Sequence, residues 1–506
     1  MNSREQRAVN LVRYFNAAII FFIAVFFFLG PAGILISNLL DANLRQPGVP
    51  RAAWRLHRTL SPRFERWARA RAESGRATQL STENISGTEW PLFGTIFYLW
   101  GTEALQDAWE KNHAPGSVAP NVYARGAIDA AAKLVVDPKQ ASWVNIHWGT
   151  NYLKTENVFY RMLVIAGLTS HARLTGDKQY LPFLRDQVES YAAELDASKH
   201  GLMDDYPGEC YPGDVLTSVA MVRRADRVLG TDHSAFVERA LRGFSGDALD
   251  PKGLVSYMAD AGSGRSFDWS RGCSCSYVSL FAPELWPEQA RQWYDLYAEN
   301  FWQEVWTAAG FREFPGDTTV SDWYFDVDSG PVVKGYGFAA CAFGTGAARA
   351  NGHFEHAYPL AAETLAISWV LPNGTYLFPR ALSDVADAPY LGEAAILFNL
   401  TCQPARGVTV KTGGSLPTFV LIILAIQIGI GSLLVLGLTR SVRSWRRNRA
   451  SLTFSFTRQQ IAIWAGLMIA VIVLWLVGKL LPAFLSLLIA QLLPRPGRIK
   501  SPPQAT

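Results

Sequence analysis

The chain has 506 residues, 49% of them hydrophobic and 18% charged, with 47 Lys and Arg against 43 Asp and Glu. Seventeen Trp, 18 Tyr and 28 Phe exclude a disordered chain, which would be poor in aromatics. A net charge of +4 supplies no general field for phosphates, so a nucleic-acid partner is not expected. Five Cys are an odd number and too few for a disulfide scaffold.

In chain order, a short tail (1–13) precedes a charge-free run at 14–40, long enough for the ~20 helical residues that cross a bilayer. This run is longer than a signal-peptide core, and the expectation is an uncleaved anchor. Residues 41–79 carry nine arginines from Arg45 to Arg76 together with Trp54 and Trp67, the pattern of a basic amphipathic linker lying on anionic lipid. Residues 80–405 read as one block. Two further apolar runs, at 412–439 and 459–493, flank a basic loop at 440–458, and a tail (494–506) follows. Arginine-rich short loops stay cytoplasmic, so the expectation is a multi-pass protein of the inner (cytoplasmic) membrane with its large domain in the periplasm.

The block shows helical periodicity at roughly 91–112, 119–135, 154–175, 178–196, 214–229, 233–246, 274–284, 287–308, 331–350, 354–371 and 386–402. No hairpin alternation is evident. Eleven or twelve helices joined by loops rich in Gly, Pro and Asp predict an all-α fold, an (α/α)6 toroid of helical hairpins whose loops converge on a central pit.

Two rigid acidic loops stand out. Asp204, Asp205, Tyr206, Pro207, Gly208, Glu209, Cys210, Tyr211, Pro212, Gly213 and Asp214 place four acids and two Tyr-Pro-Gly units just before an apolar helix. Pro and Gly fix the backbone, so these carboxylates are held in place. Asp214 taken alone reads as a helix cap. The second loop runs from Asp322 through Trp323, Tyr324, Asp326 and Asp328 to Pro331, braced by Lys334, and it lacks the spacing of a calcium loop. Between them, Arg271, Cys273 and Cys275 open a helix, and the cysteines read as small buried residues. His147 reads as a core histidine. His353 and His356 read as structural. Glu89, in a Gly87-Thr-Glu-Trp90-Pro stretch, is a further acid candidate.

The segments Asn157-Val-Phe-Tyr160 with Thr175-Gly176-Asp177, and Ala225-Asp226-Arg227 with Gly230-Thr231-Asp232, resemble helix-end motifs of the linalool dehydratase/isomerase family over roughly residues 140–310. The resemblance implies an (α/α)6 fold and a terpene-alcohol dehydratase or isomerase activity. The family's catalytic histidine and two cysteines fall, counted without gaps, on Leu163, Asp205 and Asp214, with Cys210 between the last two.

With carboxylates at those positions, the expected chemistry is acid–base work by a pair of acids, as at glycosidic bonds. Glu209 is expected as the acid and Asp214 or Asp205 as its ionised partner. Asp326 and Asp328 would orient substrate or supply the second carboxylate. Trp90, Trp148, Tyr206, Tyr211, Trp269, Arg271, Trp323 and Tyr324 are expected to bind substrate. No metal or cofactor is expected. The expected partners are the lipid bilayer and a glycan or a lipophilic alcohol, with a second copy or an envelope complex as further possibilities. The two alternatives to glycosidic-bond chemistry are a terpenoid-alcohol isomerase or dehydratase and a non-catalytic glycan-binding or scaffold subunit.

Overall fold

The computed structural model describes residues 14–112, 117–447, 463, 466–471, 473–474 and 480–492. They are mostly helical and divide into two compact units. One comprises residues 1–36, 368–381 and 422–506, and the other comprises 37–367 and 382–421.

Two helices are long and apolar enough to cross a membrane, α1 (Tyr14–Leu39) and a C-terminal helix at Thr418–Arg443. Helix α1 contains a π-helical stretch, Ala24–Leu29. In the smaller unit, Phe27, Phe28, Leu371 and Leu377 share an apolar cluster with Leu487, and the Trp369 indole donates to the Phe27 carbonyl at 2.7 Å. Of the third expected span, 459–493, residues 459–462, 464–465, 472, 475–479 and 493 lie outside the described residues, and Leu480–Leu492 is helical.

The larger unit holds α2 (Arg51–Ser74), α3 (Trp90–Asn112), α4 (Arg125–Val136), α5 (Val158–Thr175), α6 (Leu181–Ala197), α7 (Pro212–Leu229), α8 (Ser234–Ala240), α9 (Gly272–Leu285), α10 (Pro287–Phe301), α11 (Phe338–Ala350), α12 (Phe354–Ser368, whose last residue falls in the smaller unit) and α14 (Leu391–Thr401). Between the last two comes α13 (Leu377–Val385), and α15 (Thr418–Arg447) follows them; both extend into the smaller unit.

Six of these helices pack in a closed cycle: α3 on α5, α5 on α7, α7 on α9, α9 on α11, α11 on α14, and α14 back on α3. Their sequences explain the burial. Helices α5 and α9 are apolar or small on almost every side, and a helix without a polar face must be enclosed. Helix α11 is built largely from Ala and Gly, which lets α9 approach closely. The middle of the cycle is filled by stacked aromatics. Phe93, Phe97, Trp100, Tyr277, Phe281, Phe343 and Phe398 contact one another at ring separations of 4.2–6.3 Å.

The structure corrects several expectations. Residues 302–308 are not helical. Helix α10 ends at Phe301, and β3 (Trp302–Val305) pairs antiparallel with β4 (Ala308–Phe311). Likewise β5 (Trp323–Asp326), β6 (Gly330–Val333) and β7 (Tyr336–Gly337) form a three-stranded sheet where the sequence suggested an acidic loop and a helix from 331. A two-residue pair, β1 (Ala259–Asp260) with β2 (Arg265–Ser266), also forms. The basic segment 41–79 is not a free linker. In α2, Ala52, Ala53, Leu56, His57, Leu60 and Phe64 are buried, and the helix packs on α4 and α14 within the larger unit, so its apolar face is already occupied.

Candidate active site

The six helices of the cycle share one polarity. At their N-terminal ends the loops bring acids from three distant parts of the chain together. Glu89 immediately precedes α3, Asp205 lies in the loop before α7, and Asp214 lies in the first turn of α7. Asp328 occupies the tight connection between β5 and β6, just before α11.

Local chemistry sets each position. Tyr206, Pro207, Gly208 and Glu209 form a tight turn in which the Glu209 amide donates to the Tyr206 carbonyl at 2.8 Å. Gly208 takes φ +85°, which a Pro-Gly turn of this kind requires. The Asp204 carboxylate accepts the Gly208 amide at 2.8 Å. The turn swings Glu209 out to solvent, where among the described residues its carboxylate accepts only the Tyr211 hydroxyl at 3.2 Å. Glu209, expected as the acid, is therefore an exposed group at the rim.

Asp205 goes the other way. It is 2% exposed, accepts the Tyr211 amide at 2.9 Å through Oδ2, and leaves Oδ1 buried without a partner among the described residues. Asp214 is not a cap. The N-cap of α7 is Tyr211, with Pro212 opening the helix, and the Asp214 carboxyl is left to face the site.

The electrostatics follow from this crowding. Burial, then the nearby Asp214 charge, hold the Asp205 carboxyl well above the usual range. Burial, then Asp328 and Glu89, do the same for Asp214. Glu89 is pushed up to about 7, chiefly by burial, although the Tyr206 hydroxyl donates to its Oε1 and opposes the shift. Asp328 is raised by burial, while the Tyr257 hydroxyl, which donates to its Oδ2, and Arg271 pull the other way. Like charges sharing a half-dry site cannot all ionise, so at neutral pH the cluster holds protons.

Beside the acids lies a second, fully paired group. Arg271 donates to Glu313 at 2.8 Å and to Asp326 at 2.6 Å, and its guanidinium lies 4.4 Å from the Tyr257 ring centroid. Although burial pushes Asp326 up, the Ser329 amide and Arg271 hold it below the usual range, so it is a fixed anion that orients Arg271. Glu313 is wholly buried and raised to about 7 by that burial, with Arg271 opposing. The Cys273 thiol donates to Glu313 at 3.1 Å. Cys210, Cys273 and Cys275 are all buried free thiols with raised pKa, chiefly from burial, so none is poised as a thiolate.

The aromatics divide. The Trp148 indole donates to the Asp205 carbonyl at 3.1 Å and so braces the acidic loop. Tyr206 is flanked by the rings of Trp143 and of His147, which is exposed and not a core histidine. Tyr211 stacks edge-on against Tyr257 at 5.4 Å. Trp90 is partly buried at the start of α3. Trp269 is exposed, and in β5 Trp323 is 60%, Tyr324 39% and Phe325 71% exposed. Lys334 does not brace the acids; its ammonium lies 4.8 Å from the Trp306 ring centroid and 5.8 Å from that of Trp323.

Sequence reasoning missed Tyr257 and Glu313. Both lie in irregular stretches with no motif, and only the fold reveals their place.

At the opposite, C-terminal ends of the same helices lies a cavity of about 700 Å³, lined by Trp100, Glu103, Arg173, Arg224 and Phe281 among others. It is distant from the acids along the helices and carries its own ion pairs, Arg224 with Glu284 and Arg173 with Glu103 and Asp107.

No known family model matches the chain, and no curated protein matches it.

Proposed function

We propose that the larger unit is an (α/α)6 domain of a membrane-anchored enzyme that cleaves or transfers glycosidic bonds in an envelope or exported glycan. The closed cycle of six like-directed helices supports the toroid. The observation that carries the function is the meeting of Glu89, Asp214 and Asp328, contributed by three separate parts of the chain, where burial and mutual repulsion raise their pKa values. Asp214 is the general acid: its carboxyl is protonated at neutral pH and makes no hydrogen bond among the described residues. Asp328, held toward its ionised form by Tyr257 and Arg271, is the base or nucleophile, and Glu89 modulates both through charge. The exposed Trp269, Trp323 and Tyr324 offer flat faces to sugar rings. Two apolar spans support a bilayer partner, and the arginine-rich loop at 440–458 supports a periplasmic domain in the inner membrane.

The test is hydrolysis or transfer on a panel of β- and α-linked glucans by the detergent-solubilised chain. Asp214→Asn and Asp328→Asn should each cut kcat by about 10²–10⁴-fold, the usual contribution of acid–base catalysis. Full activity in both variants on a substrate the wild type turns over would overturn the assignment.

A second reading has one supporting observation. Phe93, Phe159 and Tyr277 form an aromatic wall with ring separations of 5.4 and 5.9 Å, and burial and the Asp214 charge raise Tyr277 from beside the acids. Together with the resemblance to the linalool dehydratase/isomerase family, this supports protonation of a terpenoid tertiary alcohol by the same carboxyls. Conversion of linalool or geraniol in the same assay distinguishes the two.

A further inference from the structure

We propose that His353, Glu355 and His356 bind one divalent transition-metal ion of the Zn²⁺ class, at a site separate from the carboxylate cluster. One ligand atom from each residue lies within 4.8 Å of the others. Ligands of tetrahedral Zn²⁺ at about 2.0–2.1 Å are themselves roughly 3.4 Å apart, so side-chain rotations of about an ångström close the site. Two imidazoles and one carboxylate select borderline ions such as Zn²⁺, Co²⁺ or Ni²⁺ over Ca²⁺ and Mg²⁺, which prefer all-oxygen shells.

The donors are already oriented. His353 Nδ1 pairs with Glu355 Oε1 at 2.9 Å, and His356 Nδ1 pairs with the Tyr294 hydroxyl at 3.0 Å. The Tyr294 contact holds the His356 ring and leaves its Nε2 without a hydrogen-bond partner among the described residues, as metal-ligating histidines are held, while the Nδ1–Oε1 contact sets the His353 and Glu355 ligand atoms side by side. The rings are also packed in place. His353 lies 4.6 Å from the Tyr294 ring, and His356 lies 4.3 Å from Trp302.

A second observation points to the ion. Glu355 Oε2 is buried and has no hydrogen-bond partner among the described residues. An unsatisfied buried acceptor is destabilising, and a bound cation would supply the missing partner. Of the charges that act on His353 from neighbouring elements, Asp295 on α10 favours a cation and Lys411 opposes one. Three protein ligands leave a fourth position for water, and the ion would tie the start of α12 to the α10 wall through Tyr294.

The test uses the untagged full chain in detergent, stripped with a chelator and titrated with Co²⁺. The expected result is one equivalent bound, with the visible d–d bands of imidazole ligation and displacement by Zn²⁺. Glu355→Gln and His356→Ala should each weaken binding by at least about tenfold, and Tyr294→Phe by about 10–100-fold through loss of orientation. Absence of saturable binding to the folded wild type, or unchanged binding in His353→Gln, would overturn the proposal. Because the wild-type spectrum decides by itself, poor folding of a variant does not rescue the idea.

Discussion

Glu89 shows which force wins at the carboxylate cluster. It stands at the start of α3, where a helix dipole favours an anion by about 0.3–1 kcal/mol. Its rise from 4.5 to about 7 is worth about 3 kcal/mol in the opposite direction, so burial and like charge dominate. The folded pKa exceeds the unfolded one. The stability this carboxyl contributes is therefore fully present below about pH 4.5 and is lost as pH rises through about 7. Glu89→Gln should match wild type in urea unfolding at pH 4.5 and exceed it by about 2–3 kcal/mol at pH 8. An equal gap at both pH values would mean that the glutamate is solvated. Asp214 carries the same sign into the proposed reaction. As the general acid proposed above it would act in its protonated form, so kcat should persist to higher pH than an ordinary carboxyl allows and then fall as pH rises further. Asp205, Asp214 and Asp328 were legible as held acids because Pro and Gly flank them. Glu209 misled because the direction of a four-residue turn is not written in its composition. Tyr257 and Glu313 carry no sequence signal, since their significance is only their proximity to Arg271 and Asp328.

The helices were legible as elements because their apolar period is long and their ends are marked; α5 and α7 both stop at a glycine in the left-handed region, Gly176 and Gly230. The Asp226 of the second motif turns out to secure that helix end, accepting the Thr231 hydroxyl at 2.7 Å and the His233 amide at 2.9 Å. The hairpins were not legible. Three successive residues of β5 are aromatic and exposed, so no inside–outside alternation marks the strand. Under the proposed glycan chemistry these exposed rings would bind sugar, so Trp323→Ala should raise KM for a glycan several-fold, with kcat and the melting temperature little changed. The start of α9 is the tightest junction near the site. A Cβ on Gly272 would lie 1.9 Å from the Arg312 carbonyl oxygen, whereas one on Gly316 meets nothing within 4 Å. Gly272→Ala should therefore cost at least about 1–3 kcal/mol in chemical unfolding, from overpacking against backbone. Gly316→Ala should stay within about 0.5 kcal/mol.

At the scale of the molecule, the membrane-spanning potential was plain from uninterrupted apolar length, a property that needs no tertiary context. The assignment of residues 41–79 was not. Basic amphipathic segments suit lipid and protein surfaces equally, and here α4 and α14 take the apolar side of α2. The chain should remain with membranes after carbonate extraction, and recovery in the supernatant would count against α1 and α15 as anchors. The aromatic stack that fills the helical cycle has a further implication. Phe93, Phe97, Trp100 and Phe398 are in ring contact across the middle of the cycle, between the acids at one end and the cavity at the other. With aromatic rings packed behind the acids, a polymer acted on as proposed would be gripped from the side instead of being threaded along the axis.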